Sequence, residues 1–149
     1  MAQQRPETPS FSRALHIGLT VRDMDARASW YRRVLGFRLV KRFEAVDGVG
    51  IPRTLLLHPS SGFLVGLYNH EHRSDDRFSP LRTGLDHIAF EVESQEALRG
   101  WIDHLDAEGV DHSPIRDLGH SRFISLDDPD GIQLEVWLTL VPHREASPM

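Results

Sequence analysis

Two histidines and one glutamate have the residue types and the spacing needed to hold a metal ion. His16 in the segment ALHIGLTV and His87 in the segment LDHIAFEV occupy matching places, 71 residues apart. Glu135 lies in GIQLEVWL, where burying an unpaired carboxylate in mid-strand would be costly and a cation would relieve that cost. Two neutral imidazoles and one carboxylate leave coordination positions open for water or substrate, as in sites for non-haem iron and similar divalent ions.

The elements around His16 and His87 predict that both side chains point to the same side of a sheet. In each segment apolar residues alternate with other residues, which is the period-2 pattern of a strand. The apolar face comprises Leu15, Ile17, Leu19 and Val21 in the first segment and Ile88, Phe90 and Val92 in the second. A helix that covers the apolar face would leave both histidines on the concave side, where we expect them to converge.

Each of these two strands is followed by a predicted helix and three more strands. Asp23 and Ser94 are expected N-caps, and Gly36 and Gly109 are expected to end the helices. The later strands are predicted at residues 37–44, 51–58 and 62–69 in the first half, and at 110–115, 120–126 and 131–138 in the second. The repeated order predicts an α+β fold of two βαβββ modules, whose mixed and curled sheets form a shared cleft.

The predicted organisation has five parts. These are a disordered N-terminal tail (1–12), a first module (13–69), a connector loop (70–84), a second module (85–139) and a C-terminal tail (140–149). The connector is long and polar, and His70 and His72 within it are expected at the surface, with a lid over a site as the alternative. His104, His112 and His143 are expected to be solvated.

Composition excludes several classes of function. The 17 basic and 22 acidic residues are scattered, so no patch is expected to bind nucleic acid or an anionic membrane. No apolar run approaches the roughly 20 residues that span a bilayer, and the N-terminus lacks an apolar secretory core, so we expect a soluble, cytoplasmic protein. The chain has no cysteine, so any metal must be held by nitrogen and oxygen.

The chain resembles the vicinal oxygen chelate superfamily, which includes glyoxalase I, extradiol dioxygenases, fosfomycin resistance thiol transferases and bleomycin resistance proteins. The resemblance covers residues 14–139 and rests on the paired modules, the strand histidines, LGF at 35–37 and above all LDDPDGIQLEVW at 126–137. It implies metal ligands at His16, His87 and Glu135, with Gly66 at the fourth position. Glyoxalase I usually fills all four positions, so the three-ligand set is more similar to the dioxygenases and the fosfomycin transferases.

The chain departs from the resemblance at the residue that handles protons. Both of those groups commonly carry a tyrosine ten residues before the last-strand glutamate, where this chain has Ser125. His120, just upstream, is our predicted acid or base because its unperturbed pKa lies near neutrality. Weaker candidates are Tyr68, Arg122 and His58, and Arg116 and Arg122 are alternatives for clamping an anionic substrate.

The resemblance implies a divalent-metal-dependent enzyme that acts on a small, oxygen-chelating substrate, with an extradiol-dioxygenase-like reaction as the leading hypothesis. Fe²⁺ or Mn²⁺ is the favoured ion, with Zn²⁺ or Ni²⁺ as alternatives, and a homodimer is expected. One alternative is a fosfomycin-type thiol transferase, or a glyoxalase-like lyase or isomerase, on the same metal site. Another is a metal-free protein of the bleomycin-resistance type that binds a drug or metabolite.

Overall fold

The computed structural model describes residues 8–45 and 50–142, which form two compact units. Residues up to 71, apart from residues 33–35, belong to the first unit, and residues 33–35 and 72–149 belong to the second. The division falls inside the predicted connector. The outer parts of both predicted tails, including His143, lie outside the described residues. Within the described ranges, no helix is long and apolar enough to cross a membrane.

The first unit is one helix and a four-stranded mixed sheet. Its elements are β1 (His16–Thr20), α1 (Met24–Leu35), β2 (Arg38–Phe43), β3 (Arg53–Leu57) and β4 (Leu64–Tyr68). The strand order is β1-β4-β3-β2, in which β1 pairs with β4 in parallel and the other pairs are antiparallel. As predicted, α1 begins at Asp23, whose side chain accepts a hydrogen bond from the Ala26 N–H, and ends at Gly36 with φ of 76°. Fully or nearly buried apolar residues form the core: Leu19, Val21, Ala28, Tyr31, Phe37, Leu56, Val65 and Leu67.

The second unit repeats this architecture. Its elements are β5 (Ile88–Glu91), α2 (Gln95–Ala107), β6 (Arg116–Asp117), β7 (Ser121–Asp127) and β8 (Gln133–Thr139), and the strand order is β5-β8-β7-β6. Only β5 and β8 are parallel. Ser94 caps α2 as predicted, by accepting a hydrogen bond from the Ala97 N–H. The core is formed by Ile88, Leu98, Leu105, Ile124, Leu134, Val136 and Leu138.

The predicted α+β class with two βαβββ modules is confirmed, and neither sheet is closed. Two local predictions are wrong. Residues 110–115 do not form a strand: they contribute one bridge between His112 and Leu126, and the short β6 follows them. Pro114 lacks a backbone N–H and so cannot donate to a ladder there. In addition, β5 begins at Ile88, so His87 directly precedes the strand instead of lying within it. The shared cleft stays a prediction.

The turn of sequence DPDG fixes the start of β8. The buried Asp128 carboxylate accepts hydrogen bonds from the N–H groups of Asp130 (2.8 Å) and Ile132 (2.9 Å). The backbone N–H of Asp128 donates to the Ile132 carbonyl. Gly131 has φ of 83°, a left-handed conformation that glycine adopts without steric cost. Because Glu135 lies four residues after Gly131, this turn positions it along the sheet.

Asp128→Ala should lower the free energy of unfolding by about 3 kcal/mol, because two charge-assisted hydrogen bonds are lost and two backbone donors are left inside the turn. Urea unfolding followed by circular dichroism measures this change. The matched control is Asp127→Ala, which removes an exposed neighbouring carboxylate and should change stability by less than about 0.5 kcal/mol. Equal effects of the two variants would show that the turn does not depend on the Asp128 side chain.

Candidate metal site

Glu135 is a buried carboxylate in the middle of β8. Its Cα is paired with Ala89 of β5 on one side and with Ser125 of β7 on the other. Its neighbours Leu134 and Val136 belong to the core, so Glu135 points to the opposite face of the sheet. Only 5% of the residue is exposed, and its Oε2 atom has no hydrogen-bond partner. A buried oxygen of this kind requires a counter-charge or a proton.

His87 is the side chain that faces this oxygen. Its Nε2 atom lies 3.4 Å from Glu135 Oε2, and its Nδ1 atom lies 2.6 Å from Asp86 Oδ1. An ionised carboxylate can only accept a hydrogen bond, so Nδ1 carries the proton and donates to Asp86. In the neutral imidazole Nε2 then presents its lone pair towards the glutamate. Two lone pairs facing each other repel unless a proton or a cation lies between them.

The local charges act on Glu135 in opposite directions. Burial raises the pKa of Glu135 above its ordinary value of 4.5, and the nearby Asp86 carboxylate adds to the rise. His87 and Arg116 oppose the rise, because positive charge favours the ionised carboxylate. The carboxylate is therefore destabilised by its surroundings, and a bound cation would stabilise it.

The pair formed by His87 and Glu135 fits two ligands of a divalent ion. One imidazole nitrogen and one carboxylate oxygen suit Fe²⁺, Mn²⁺, Zn²⁺ or Ni²⁺. His87 Nε2 and Glu135 Oε2 are 3.4 Å apart, which is close enough for both atoms to bind one ion. The hydrogen bond from His87 to Asp86 is also the contact that typically orients a metal-binding imidazole.

The third predicted ligand, His16, lies in the first unit. It is exposed at the start of β1, paired with Leu64, and it lines a cavity of that unit. Within residues 8–45 and 50–142, no group of three His, Asp or Glu side chains is arranged to hold a metal ion. The structure thus brings His87 and Glu135 together, and the complete set of three ligands stays a prediction.

Gly66 occupies the position in the first unit that corresponds to Glu135 in the second. It is paired with Gly18 and Leu55, just as Glu135 is paired with Ala89 and Ser125. The ring of Tyr68 lies over both glycines, because a Cβ atom would come within 2.8 Å of Tyr68 Cε2 at Gly66 and 2.9 Å at Gly18. This position therefore holds an aromatic ring instead of a fourth ligand.

Ser125, which stands where the resemblance expects a tyrosine, and His120, our predicted acid or base, are five residues apart along the chain. Ser125 is directly opposite Glu135, and its buried Oγ atom has no hydrogen-bond partner. His120 precedes the strand and is exposed, and its carbonyl accepts hydrogen bonds from the N–H groups of Leu140 and Val141. Five residues of extended chain, about 16 Å, separate it from Ser125. The structure does not bring His120 to Glu135.

The sequence analysis gave no role to three neighbours of the site. Asp86, which directly precedes His87, orients its imidazole. Phe123 and Trp137 lie opposite each other on the same face as Glu135, with stacked rings 4.7 Å apart, and the Arg116 guanidinium lies 5.9 Å from the Phe123 ring. The sequence alone predicts the face on which both rings lie. Phe123 is two residues from Ser125 and Trp137 is two residues from Glu135, and residues two apart in a strand share a face.

The remaining candidates have local structural contacts. Arg122 lies on the other face of β7 and donates hydrogen bonds to Asp117 and Gln95. His58 is hydrogen-bonded to Ser60 and packs edge-on against Phe37, and Tyr68 stacks on His70. The expectation that His104 and His112 are solvated is wrong. His104 donates to the Val34 carbonyl, and both ring nitrogens of the half-buried His112 have oxygen partners, in Ser113 and Asp106.

Comparison with known proteins identifies the family. The profile of the Glyoxalase/Bleomycin resistance protein/Dioxygenase superfamily matches residues 13–136. A glyoxylase/bleomycin resistance protein/dioxygenase domain from Frankia sp. EAN1pec is 31% identical, with a TM-score of 0.77 over 87% of this chain and 99% of that one. The fosfomycin resistance protein FosX from Listeria monocytogenes is 19% identical, with a TM-score of 0.64 over 87% of this chain and 94% of its own, which shows the fold alone.

One curated relative is the "Putative ring-cleaving dioxygenase MhqA" of Bacillus subtilis (strain 168), which is 27% identical over 131 residues. The match covers 88% of this chain but 41% of the relative, so the chain spans about two-fifths of that protein's length. The extent of the profile match and the Frankia structure establish the assignment. The chain belongs to the Glyoxalase/Bleomycin resistance protein/Dioxygenase superfamily.

Gly66→Ala should destabilise the protein by about 1–3 kcal/mol, because the new methyl group overlaps the Tyr68 ring. In a Tyr68→Ala background the same substitution should be neutral or slightly stabilising, since alanine removes the entropic cost of a strand glycine. Urea unfolding of the four proteins in this cycle measures the coupling. Gly100→Ala, in α2 with open space around it, is the control and should not destabilise. An equal cost of Gly66→Ala in both backgrounds would contradict the placement of the ring.

Metal-free protein should lose stability as the pH rises through the raised pKa of Glu135. Protonation of this carboxyl favours the folded state. Its contribution to stability is fully present below the ordinary pKa of 4.5 and is lost as the pH rises through the raised pKa of the folded protein. Neutral Glu135→Gln should not show this loss. The stability difference between variant and wild type, measured in urea with a chelator, should therefore grow from about pH 4.5 upwards. Exposed Glu91→Gln is the control, and a flat difference for Glu135→Gln would contradict the prediction.

Proposed function

We propose that this chain is a divalent-metal-dependent enzyme that acts on a small substrate with two neighbouring oxygen atoms, with extradiol-type ring cleavage as the leading reaction. The observation that carries the proposal is the buried Glu135 Oε2 atom, which has no hydrogen-bond partner and faces the Nε2 atom of His87. Asp86 holds the imidazole in the tautomer that a metal requires. A purely structural carboxylate at this position would be expected to have hydrogen-bond donors.

His87 and Glu135 would hold the ion, and His16 is the proposed third ligand. A divalent ion in such a site supplies Lewis-acid stabilisation to vicinal oxygens and, if it is iron, redox chemistry with dioxygen. Fe²⁺ or Mn²⁺ is favoured, and the nitrogen and oxygen donors also suit Zn²⁺ or Ni²⁺. The remaining residues of the face bind and orient the substrate: the stacked rings of Phe123 and Trp137 offer an apolar surface beside Glu135 and exclude water from it.

The relatives support the reaction class to different degrees. The ring-cleaving activity in the name of the Bacillus subtilis relative favours a dioxygenase, although the chain spans 41% of that protein. A FosX structure from Listeria monocytogenes contains Mn(II) and a dihydroxypropylphosphonic acid, and at 19% identity it adds support for the fold alone. A small-molecule substrate, and a homodimer in a cytoplasmic setting, complete the proposal.

Two residues, Ser125 and His120, are proposed to take part in proton transfer. Ser125 stands opposite Glu135 with a buried, unpartnered hydroxyl, so it is close enough to hydrogen-bond an oxygen bound beside the carboxylate. A serine hydroxyl is a poor acid or base near neutral pH, so Ser125 would orient a proton instead of removing it. His120 remains a proposed acid or base that requires a test, since about five residues of β7 separate it from this position.

A second candidate is a metal-free binding protein of the same superfamily. It is favoured by the mostly apolar lining of the cavity in the first unit, which suits an organic ligand. A thiol transferase, lyase or isomerase that uses the metal as a Lewis acid is a further alternative on the same proposed metal site. Oxygen uptake on catechols distinguishes the dioxygenase from these, and turnover that needs a thiol and proceeds without oxygen identifies a transferase.

His87→Ala should abolish retention of a divalent ion, because it removes one of the three proposed ligands and leaves Glu135 without the imidazole that faces it. Asp86→Asn should weaken metal affinity by about 10- to 100-fold, because it disturbs only the orientation of the imidazole. Elemental analysis and metal titration of the purified proteins measure both effects. The control is His120→Ala, which should bind metal as wild type does and also tests the acid or base role through its activity. Unchanged metal content in His87→Ala would overturn the ligand assignment, and a wild-type protein without affinity for any ion would favour the metal-free candidate.

A further inference from the structure

A row of three side chains crosses the first-unit sheet, two residues along from Gly66. Tyr68 of β4 is paired with Arg53 of β3, and Arg53 is paired with Phe43 of β2. The Arg53 guanidinium lies 4.2 Å from the centroid of the Phe43 ring, and Lys41 Nζ lies 4.9 Å from the same centroid. Within the described parts of the chain, neither cation has a carboxylate partner. Among the described residues, the row therefore combines two cations that have no acidic partner with two aromatic rings.

The second unit carries the same kind of row with two positions exchanged. Trp137 of β8 is paired with Phe123 of β7, and Phe123 is paired with Arg116 of β6. By strand and register, Trp137 corresponds to Tyr68, Phe123 to Arg53, and Arg116 to Phe43. Each unit thus combines one guanidinium with two rings, although the individual residues differ. One guanidinium and two rings recur in both units although the packing contacts of the individual residues differ. Packing alone therefore does not account for the row, which favours a role in binding.

The row in the first unit borders a cavity of about 490 Å³, which is within the size range of small-molecule sites. Its lining combines the rings of Phe43 and Tyr68 with the aliphatic residues Ile51, Leu55 and Leu64. Arg53 and His16 are the basic residues of the lining, and no aspartate or glutamate among the described residues belongs to it. A lining that is mostly apolar and that has, among the described residues, one guanidinium and no acid is complementary to a compact apolar molecule bearing a single negative charge.

We propose that this cavity binds an aromatic carboxylate, with the ring against Tyr68 and the aliphatic lining and the carboxylate on the guanidinium of Arg53. A planar guanidinium can bind a carboxylate through two parallel hydrogen bonds, which gives it a preference over a neutral amide of the same shape. Tyr68 can form the wall of the cavity because Gly18 and Gly66 leave space for its ring. His16, the proposed third metal ligand, also lines the cavity. An aromatic acid would therefore be the substrate of the proposed enzyme, and this extension rests on the proposed function.

The test is calorimetric titration of the full chain, after removal of metal with a chelator, with benzoate and with benzamide as a neutral control of the same shape. Wild type should bind benzoate roughly 10- to 100-fold more tightly than benzamide, the range expected for a charge-assisted hydrogen-bonded pair. Arg53→Gln should remove this preference while leaving benzamide affinity within about twofold. Arg53→Lys should retain part of the preference for benzoate over benzamide. Arg38→Gln, an exposed arginine on β2 that does not line the cavity, should behave as wild type.

Equal affinities for the two compounds in wild type, a preference that survives in Arg53→Gln, or no binding of either compound at about 10 mM would each overturn the proposal. Circular dichroism confirms that each variant is folded. The metal content of the same proteins, measured before the chelator is added, separates this proposal from the enzymatic one. Selective binding of benzoate through Arg53 in a chain that never retains a metal would leave the cavity assignment standing and reject the proposed function. Metal binding without benzoate selectivity would do the reverse.

Discussion

One oxygen of a carboxylate in the second unit, Glu135 Oε2, is buried without a hydrogen-bond partner, and the proposed metal site follows from this one constraint. Glu135 is held in place by pairing with both β5 and β7, and the DPDG turn fixes its position along β8. The sheet cannot release this side chain to water without losing the core residues on its other face. The charge must therefore be neutralised locally, and His87 is the group placed to share a cation with it.

The same sheet position has different consequences in the two units. In the second unit it is Glu135, which faces His87, and in the first it is Gly66, which makes room for the Tyr68 ring. A duplicated scaffold has thus kept its strand order and register, while one copy carries an ionisable group and the other an aromatic wall. The proposed roles follow this difference: His87 and Glu135 of one copy would hold an ion, and the Tyr68 wall of the other would contact the apolar part of a small molecule.

Much of the fold was predictable because its signals are local. The caps Asp23 and Ser94 act within a few residues, and the period-2 pattern shows which face of β8 bears Glu135. The errors arose where tertiary contacts decide. The segment 110–115 begins and ends with a β-branched apolar residue but contains Pro114, and pairing passes instead to Arg116 and Asp117. The role of Asp86 was missed because a carboxylate next to a histidine is common in any sequence, and only the 2.6 Å contact with Nδ1 distinguishes it.

The most direct test is a crystal structure of the protein soaked with Mn²⁺, using the anomalous signal of manganese to locate the ion. The account predicts one anomalous peak per chain within bonding distance, about 2.0–2.3 Å, of both His87 Nε2 and Glu135 Oε2. The prediction would be contradicted if the ion had full access to the crystal but gave no peak between His87 and Glu135. In that result the His87 imidazole would donate a hydrogen bond directly to a Glu135 oxygen.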